Sequence, residues 1–541
     1  MGERRGRGGD PGGWPPFCAR RLGRSWTCDG RGGGRCTVAD AQATAQSRAA
    51  LKTALLAEAR RLGFVAAGVA AAAPLLDLEA LLRWRQERGM ATPWEDPDPA
   101  RRADPATLLP GARSVVAVAM AYDPPGRRTA SRPASAQDRA AGGGDRAAGG
   151  GTGRRRDGRA AGGSRDGGDG GPPLRGYVAA AGRTRSYQHV MRQRLEALGR
   201  WLEARVPGCR WAVQVDTGPL VDRAWAERAG LGWVGKNACL IVPGRGSWVF
   251  LGELVTDVAL PPDQPVAEAC GDCDLCLRAC PTQAFIGPRQ LDPRRCVSFL
   301  SQKPGMLAPD ERAALGQSLY GCDACQVVCP YNRSAGPGHP ALRPDDTAPA
   351  GGAGNGTTSV PAAPVPSGAP TQARTGGAGG GRAPTAEAAA GPELDASRRA
   401  GDPAPDDGPP DATGRPDLVA LLRMGRAEFR RRYRSLTGAW RGRKTWQRNA
   451  LVALGNRGPA ARSAVPALVT VLRDDPRPDL RALAAWALGR IGGECAQRAL
   501  AEARAREDDP AVRAAIADAL RPAPGAGRGG GRAEAYGAQA F

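Results

Sequence analysis

Histidine is almost missing from this chain: two residues in 541, His189 and His339. That scarcity excludes a histidine-built metal centre or an imidazole-centred triad, and it leaves proton transfer to a carboxylate. The sequence also lacks any run of the roughly 18 to 20 apolar residues that a membrane helix needs. Arg4-Arg5 looks like a twin-arginine signal, but no apolar stretch follows it, so export is not indicated and a cytoplasmic, membrane-free protein is expected. Aromatic residues make up only 5% of a chain with 76 Gly and 48 Pro, so a good part of its length cannot bury enough apolar surface to fold. Acidic residues are outnumbered, 54 against 76 basic ones, and the net charge of +22 suits a polyanionic partner, nucleic acid first. Compositional enrichment in Arg gives the same total, so only localised basic patches weigh in that argument.

The length accommodates several domains, each with its own core. Residues 1–46 are Gly- and Arg-rich and read as a disordered leader or an upstream start; Cys18, Cys28 and Cys36 within it have no partners at close ligand spacing and are stray thiols. Order begins near Leu51, where Leu51, Leu55, Ala59 and Leu62 recur at helical spacing. Ser114–Tyr122 is a nearly continuous apolar strand, Tyr187–Arg205 a helix with Met191, Leu195, Leu198 and Leu202 on one stripe, and Trp211–Val215 another strand. Further strands are expected at Ala238–Val242 and Trp248–Val255. Asp216 sits just past the end of Trp211–Val215, where ligand-binding groups of α/β sheets collect. Residues 47–262 thus form an α/β domain with a disordered insertion at about 128–174. Residues 334–414 read as a disordered linker and 523–541 as a tail. Between them Arg448–Gly455, Arg481–Gly489 and Arg513–Leu520 echo one another at about 33-residue spacing, which predicts a HEAT-like helical stack over 415–522.

The cysteines carry the chemistry. Cys270, Cys273, Cys276, Cys280 and Pro281 form C-x2-C-x2-C-x3-C-P, in which three thiolates cap one 4Fe-4S cubane and the fourth reaches its neighbour. Cys322, Cys325, Cys329 and Pro330 repeat that run without its first cysteine, and Cys296 supplies the missing ligand. The cross-ligation rule assigns Cys270, Cys273, Cys276 and Cys329 to one cluster, and Cys280, Cys296, Cys322 and Cys325 to the other. A structural zinc site prefers two separated pairs and does not need the triplet. Residues 263–333 are therefore a ferredoxin-like two-cluster domain, and Cys209, Cys239 and Cys495, in apolar or helical surroundings, remain as ordinary buried thiols. Two clusters make a redox relay but name no substrate.

Several ordered motifs extend the reading: Asp216-Thr-Gly-Pro219, Ala229-Gly-Leu-Gly-Trp-Val-Gly-Lys236, Phe250-Leu-Gly-Glu-Leu254, Gly321-Cys-Asp-Ala-Cys-Gln326 and Arg448–Asn456. Together with the eight cysteines they resemble epoxyqueuosine reductase, the cobalamin-dependent enzyme of queuosine synthesis in tRNA, over about 50–333 and again from Leu418. The resemblance implies an α+β multidomain protein in which a base-off cobalamin sits beside the second cluster and the epoxide of epoxyqueuosine at the tRNA wobble position is reduced to the alkene. It implies Asp216 as proton donor; the plain alternative is a carboxylate capping its own turn. It further suggests Ser298 and Asp323, next to cluster cysteines, and Lys236, after a Gly-rich turn, as cofactor contacts, although such turns and a lone lysine are usually structural. A ferredoxin- or flavodoxin-type donor would supply electrons to what is expected to be a monomer.

Phe429–Arg434 with Trp440, Arg441, Arg443, Lys444 and Trp446 interleaves bases and aromatics as RNA-binding surfaces do, and in the family the appended repeats contact tRNA. The alternative is a solvated helix face whose aromatics dock on the repeats. The chain departs from the family at Ser186-Tyr-Gln-His189, where Gln188 replaces the usual His. A cobalamin-dependent reductive dehalogenase would share the core and clusters but usually carries an export signal and lacks the repeats. A ferredoxin-type carrier with an interaction scaffold would leave Asp216 and the α/β domain unexplained.

Overall fold

The computed structural model describes residues 38–125, 174–344 and 414–521, with side chains from residue 45 onward. The expected leader below 38, most of the insertion, the linker from 345 to 413 and the tail lie outside the described residues.

Four strands form the central sheet: β1 (Ala66–Ala71), β2 (Ser114–Ala121), β3 (Trp211–Gln214) and β4 (Val249–Thr256), in the order β1-β2-β4-β3. Every pairing is antiparallel. The crevice rule for parallel strands therefore does not place Asp216; the turn out of β3 does. β2 is buried along its whole length, because both faces of the sheet are covered. One face packs on the helices Val38–Arg61 and Tyr187–Glu203, where Leu55, Met191, Leu195, Leu198 and Leu202 are fully buried at the predicted stripe positions. The other packs on Asp222–Arg228 through Trp225 and Ala226. Gly68 in β1 lets the end of that short helix come close, since a Cβ there would lie 2.1 Å from the Ala229 carbonyl oxygen.

The first helix starts at Val38, well inside the expected leader. Ala, Gln and Arg are good helix formers, and no Gly or Pro interrupts them between 38 and 61. Residues 334–344 are likewise ordered rather than linker. The His339 N–H donates to the Ala121 carbonyl (2.7 Å), and Gly338 N–H and Arg343 Nε both donate to Asp123 (2.9 Å each), strapping this segment to the end of β2.

In the cysteine-rich region the short helices Leu275–Arg278 and Ala324–Val327 pack against each other. The C-terminal helices Gly442–Arg457, Val465–Asp474, Pro478–Ile491, Glu494–Arg504 and Pro510–Leu520 stack as the repeats predict. The Asp-Asp-Pro signal works as a cap: Asp509 accepts from the N–H groups of Ala511 and Val512, with Pro510 in the first turn. This stack is not a loose appendage. Leu300, Leu307, Leu315 and Leu319 of the cysteine-rich region share one core with Leu421, Trp446, Leu451 and Leu454.

A polar clamp crosses that core. The Arg448 guanidinium, buried in Gly442–Arg457, donates to the carbonyls of Lys303, Gly305 (2.8 Å), Leu300 (3.2 Å) and Ser301 (3.3 Å). Asn449 Nδ2 donates to Ser301 (2.7 Å) and Leu319 (2.8 Å). These bonds satisfy carbonyls at the end of Val297–Gln302 that burial would otherwise orphan.

Candidate functional site

The cysteines gather as two quartets, each drawing on both runs. Cys270, Cys273, Cys276 and Cys329 line one cavity of about 140 Å³. Burial pushes the Cys276 thiol up to about 11, and the nearby thiols of Cys329, Cys270 and Cys273 add to it. Cys280, Cys296, Cys322 and Cys325 line a larger cavity of about 460 Å³. There burial pushes Cys322 up to about 12, helped by Cys296 and Cys280. Thiols this close bind a metal cluster only as thiolates, so their protons are released when it binds.

Among the described residues no three such groups converge tightly enough for a single metal ion. The quartets instead face hollows, as ligands at the corners of an inorganic cube must. Local backbone also points at the sulfurs: the N–H groups of Ser298 and Phe299 at Cys296, of Ala324 at Cys322, and of Tyr331 and Asn332 at Cys329. Ala284 N–H lies 3.2 Å from Cys280 Sγ. Such bonds favour the thiolate and tune a cluster's potential.

Asp216 is exposed on the turn that follows β3, with a left-handed backbone at φ 59°. Its Oδ2 accepts from Tyr187 Oη at 2.6 Å and from Gln188 Nε2 at 3.3 Å. Tyr187 is itself fixed by stacking on Phe250, centroids 3.8 Å apart and planes 3° from parallel. Burial, and then the charge and hydrogen bond of Asp216, hold the Tyr187 phenol well above its usual range, so it stays a donor. Gln188, the residue that departs from the family pattern, is thus one of the two side chains on Asp216; His189 is exposed. Asp216 also lies within electrostatic reach of Tyr320, two residues before Cys322, which brings the turn to the side of the second quartet.

The three suggested cofactor contacts part company. Ser298 lines the larger cavity. Asp323 is 2% exposed, and its Oδ2 is engaged by Tyr177 Oη (2.6 Å) and Ala180 N–H (2.8 Å), so its carboxylate fixes the backbone behind Cys322. Lys236 lines the smaller cavity and donates to the Gly271 carbonyl, next to the other quartet. Of the leftover thiols, Cys495 is exposed rather than buried, and Cys209 packs at the edge of the sheet core. Cys239 is not an isolated thiol: it lines the larger cavity and hydrogen-bonds Cys325. Its single occurrence between hydrophobic residues gave no spacing signal.

The basic segment divides. Phe429, Tyr433 and Trp446 pack together inside the repeat domain, as docking aromatics would. Trp440 is 56% exposed and Trp94, from the sheet domain, 40%. Between them lies the Arg441 guanidinium, 4.1 Å from the ring centroid of Trp440 and 4.4 Å from that of Trp94. Trp440 Nε1 donates to Gln302 of the cysteine-rich region (2.9 Å), so one exposed platform joins all three domains. No periodicity in the sequence announces Trp94.

Comparison with known proteins bears on each part. Residues 269–332 match the family described as 4Fe-4S double cluster binding domain, and residues 443–521 match HEAT repeats. The chain is 33% identical over 463 residues to epoxyqueuosine reductase of Bacillus cereus, covering 85% of this chain and 94% of that one, and 31% identical over 460 residues to that of Bacillus subtilis, covering 85% and 92%. It resembles, with a TM-score of 0.65 and 29% identity over 87% of its length and 98% of the other, a crystal structure of epoxyqueuosine reductase with an epoxyqueuosine-modified tRNA-Tyr stem loop. A Bacillus subtilis structure, with its aspartate catalytic loop swung out of the active site, aligns at TM-score 0.64 and 29% identity, covering 87% of this chain and 99% of that one.

Proposed function

This chain belongs to the epoxyqueuosine reductase family, and from that premise we propose that it reduces the epoxide of epoxyqueuosine in tRNA to the alkene of queuosine, with Asp216 as the proton donor. The reaction consumes two electrons and two protons and releases the epoxide oxygen as water. The two thiol quartets hold the two 4Fe-4S clusters that carry the electrons singly. The observation that carries the reading is the setting of Asp216: an exposed carboxyl, oriented by Tyr187 and Gln188, on the side of the second quartet.

The family also implies cobalamin. The larger cavity fits such a group: beside the second quartet it is lined by Asn237, Ser298 and Gln326 and by apolar side chains such as Leu81, Phe285 and Val297, which would hold it next to the cluster. Polar edge contacts are on offer from Ser298 and from Arg441, whose buried Nε and Nη2 have no hydrogen-bond partner among the described residues. Bound cobalamin would supply low-potential cobalt chemistry at the epoxide carbon. The chain's own residues orient the epoxide, exclude water and place a proton at its oxygen. Tyr187 and Gln188 keep Asp216 turned toward that oxygen, and the hydroxyl of Tyr187 stabilises the carboxylate left after transfer. The loop that carries Asp216 is read as hinged, by analogy with the relative whose loop swings out.

The Trp94–Arg441–Trp440 platform suits unstacked bases of an RNA loop, and exposed arginines at Arg426, Arg430 and Arg434 beside it suit its phosphates. A ferredoxin- or flavodoxin-type protein would deliver electrons at the smaller cavity, whose Cys273 and Cys276 are only half-buried. On this reading the working unit is a monomer. The test is Asp216→Asn in cluster- and cobalamin-loaded protein, which should bind modified tRNA normally and lose turnover by about a hundredfold or more. Turnover within a few-fold of the parent would remove Asp216 from the acid role.

A further inference from the structure

Beneath the Asp216 turn lie two carboxyl groups that the reaction does not itself use. Glu253 is in β4, directly opposite Gln214 of β3, and is fully buried. Its Oε1 has no partner among the described residues. Asp222 opens the helix Asp222–Arg228. Among the described residues neither carboxyl accepts a hydrogen bond from Lys or Arg; the donors to them are the Gln214 amide and the Asp216 N–H. Two neighbouring carboxyls in an apolar setting without a cation cannot both ionise, so they share one proton.

The hydrogen bonds say which carboxyl is the anion. Asp222 Oδ2 accepts the Asp216 N–H (3.0 Å), and its Oδ1 accepts Gln214 Nε2 (2.6 Å). Gln214 Nε2 reaches Glu253 Oε2 as well, at the longer 3.4 Å, so the two carboxyls meet at one amide; Asp222, which takes the two shorter bonds, is the acceptor, and Glu253 hydrogen-bonds it as the acid. Gln214 completes the frame: its amide donates to the Leu220 carbonyl and accepts from the Leu220 N–H, both at 3.0 Å. Gly218 fits over that amide only because it has no side chain; a Cβ would lie 2.0 Å from Gln214 Oε1. The turn is tied down at both ends, and the bond at Asp216 holds the residue whose left-handed backbone costs most to keep.

We propose that Asp222 and Glu253 form a buried one-proton pair that latches the Asp216 loop in its donating position, which makes both of them positioning residues. This rests on the reading of Asp216 as the acid. Glu253 supplies a donor that keeps Asp222 anionic and aligned; Asp222 in turn fixes the Asp216 backbone. Burial, with the Asp222 charge next, keeps the Glu253 carboxyl well above its usual range, which agrees with its role as the proton holder.

The test uses full-length, cluster- and cobalamin-loaded protein. In Asp222→Asn one of the two acceptor positions becomes an N–H₂ donor, facing either the Asp216 N–H or the Gln214 amide. Hydrogen exchange at the Asp216 amide should then quicken about tenfold or more. The kcat should fall about 10- to 100-fold while KM for modified tRNA stays within about twofold, as expected of a misplaced acid. Glu253→Ala should do the same, and Glu253→Gln, which keeps a donor toward Asp222, should restore most of the lost kcat; iron content should not change in any of them. Unchanged exchange in Asp222→Asn, or a Glu253→Gln variant no better than Glu253→Ala, would overturn the latch. An active Asp216→Asn variant would instead remove the acid role, while faster exchange in Asp222→Asn would still establish the latch.

Discussion

Replacing Arg448 with Met should separate the repeat stack from the cluster region. Met keeps much of the side chain's volume but removes six donated bonds, four to backbone carbonyls and two to Asn449 Oδ1. Burial opposes the guanidinium charge and pushes its pKa down to about 10, a cost of roughly 3 kcal/mol that Met would relieve. Each charge-assisted bond contributes about 1.5 to 3 kcal/mol, and orphaned buried carbonyls cost about 1 to 3 kcal/mol each, so the bonds outweigh the burial. Because these terms are not additive, the expected net loss is about 3 kcal/mol, in the range seen when one member of a buried polar set is removed. The depressed pKa makes stability depend on pH only between about pH 10 and 12.5, where the unfolded chain holds the extra proton; at neutral pH its cost is present in full and the bonds outweigh it. Calorimetry of cluster-loaded protein should show the melting temperature of the shared unit fall by about 6 to 12 °C. Visible absorbance of the clusters should follow the first transition, with the repeats melting separately. A single transition within about 2 °C of the parent would refute the clamp.

The cross-ligation makes Cys329→Ser informative: it should remove about four of eight irons and leave the spectrum of the cluster held by Cys322 and Cys325 in place. Iron analysis with electron paramagnetic resonance checks this, and damage confined to that second cluster would reverse the assignment. Asp222 is pushed up to about 6 by burial and then by the charge of Asp216, so its stabilising contribution is full below about pH 4 and falls as pH rises through 6. The drop is about 3 kcal/mol at most. Denaturant unfolding across that window should show a shallower slope in Asp222→Asn than in the parent, the remainder coming from Glu253, which burial also holds above its usual range; equal slopes would contradict the buried Asp222 carboxyl. Trp440→Ala should weaken binding of a tRNA stem loop about tenfold, the contribution of one stacked base. An unchanged Kd in a filter-binding assay would take that ring out of the interface.

What could be read from sequence was what depends on local spacing. Cys270 through Cys280 and Cys322 through Cys329 announce their ligation because a cubane is gripped by short loops, and the helix stripe from Met191 to Leu202 follows from period alone. What could not be read depends on distant partners. β1 is Ala and Gly with one Val, too plain to stand out, and it is a strand because β2 pairs with it. Residues 334–344 look like the Gly- and Pro-rich linker they adjoin, yet bonds to Ala121 and Asp123 order them. Asp216 was found as the residue after a strand, whereas Tyr187, Gln188, Asp222 and Glu253, which give it its orientation, are contributed by three other elements. Cys239 and Trp94 each stand alone in sequence, and only folding sets them beside Cys325 and Trp440.

On the proposed ligation, the exchange of thiols between the two runs has a consequence for how the protein is made. A ribosome releases Cys270, Cys273 and Cys276 long before Cys329, and Cys280 long before Cys322 and Cys325. A cube seated early on the first triplet keeps one corner open until synthesis passes residue 329, and the second cube cannot be closed sooner than Cys325. Neither centre is complete until Cys325 and Cys329 have emerged, and the repeat stack, whose Arg448 grips the carbonyls of Leu300 and Gly305 after Cys296, follows only after the long stretch between Cys329 and Arg448.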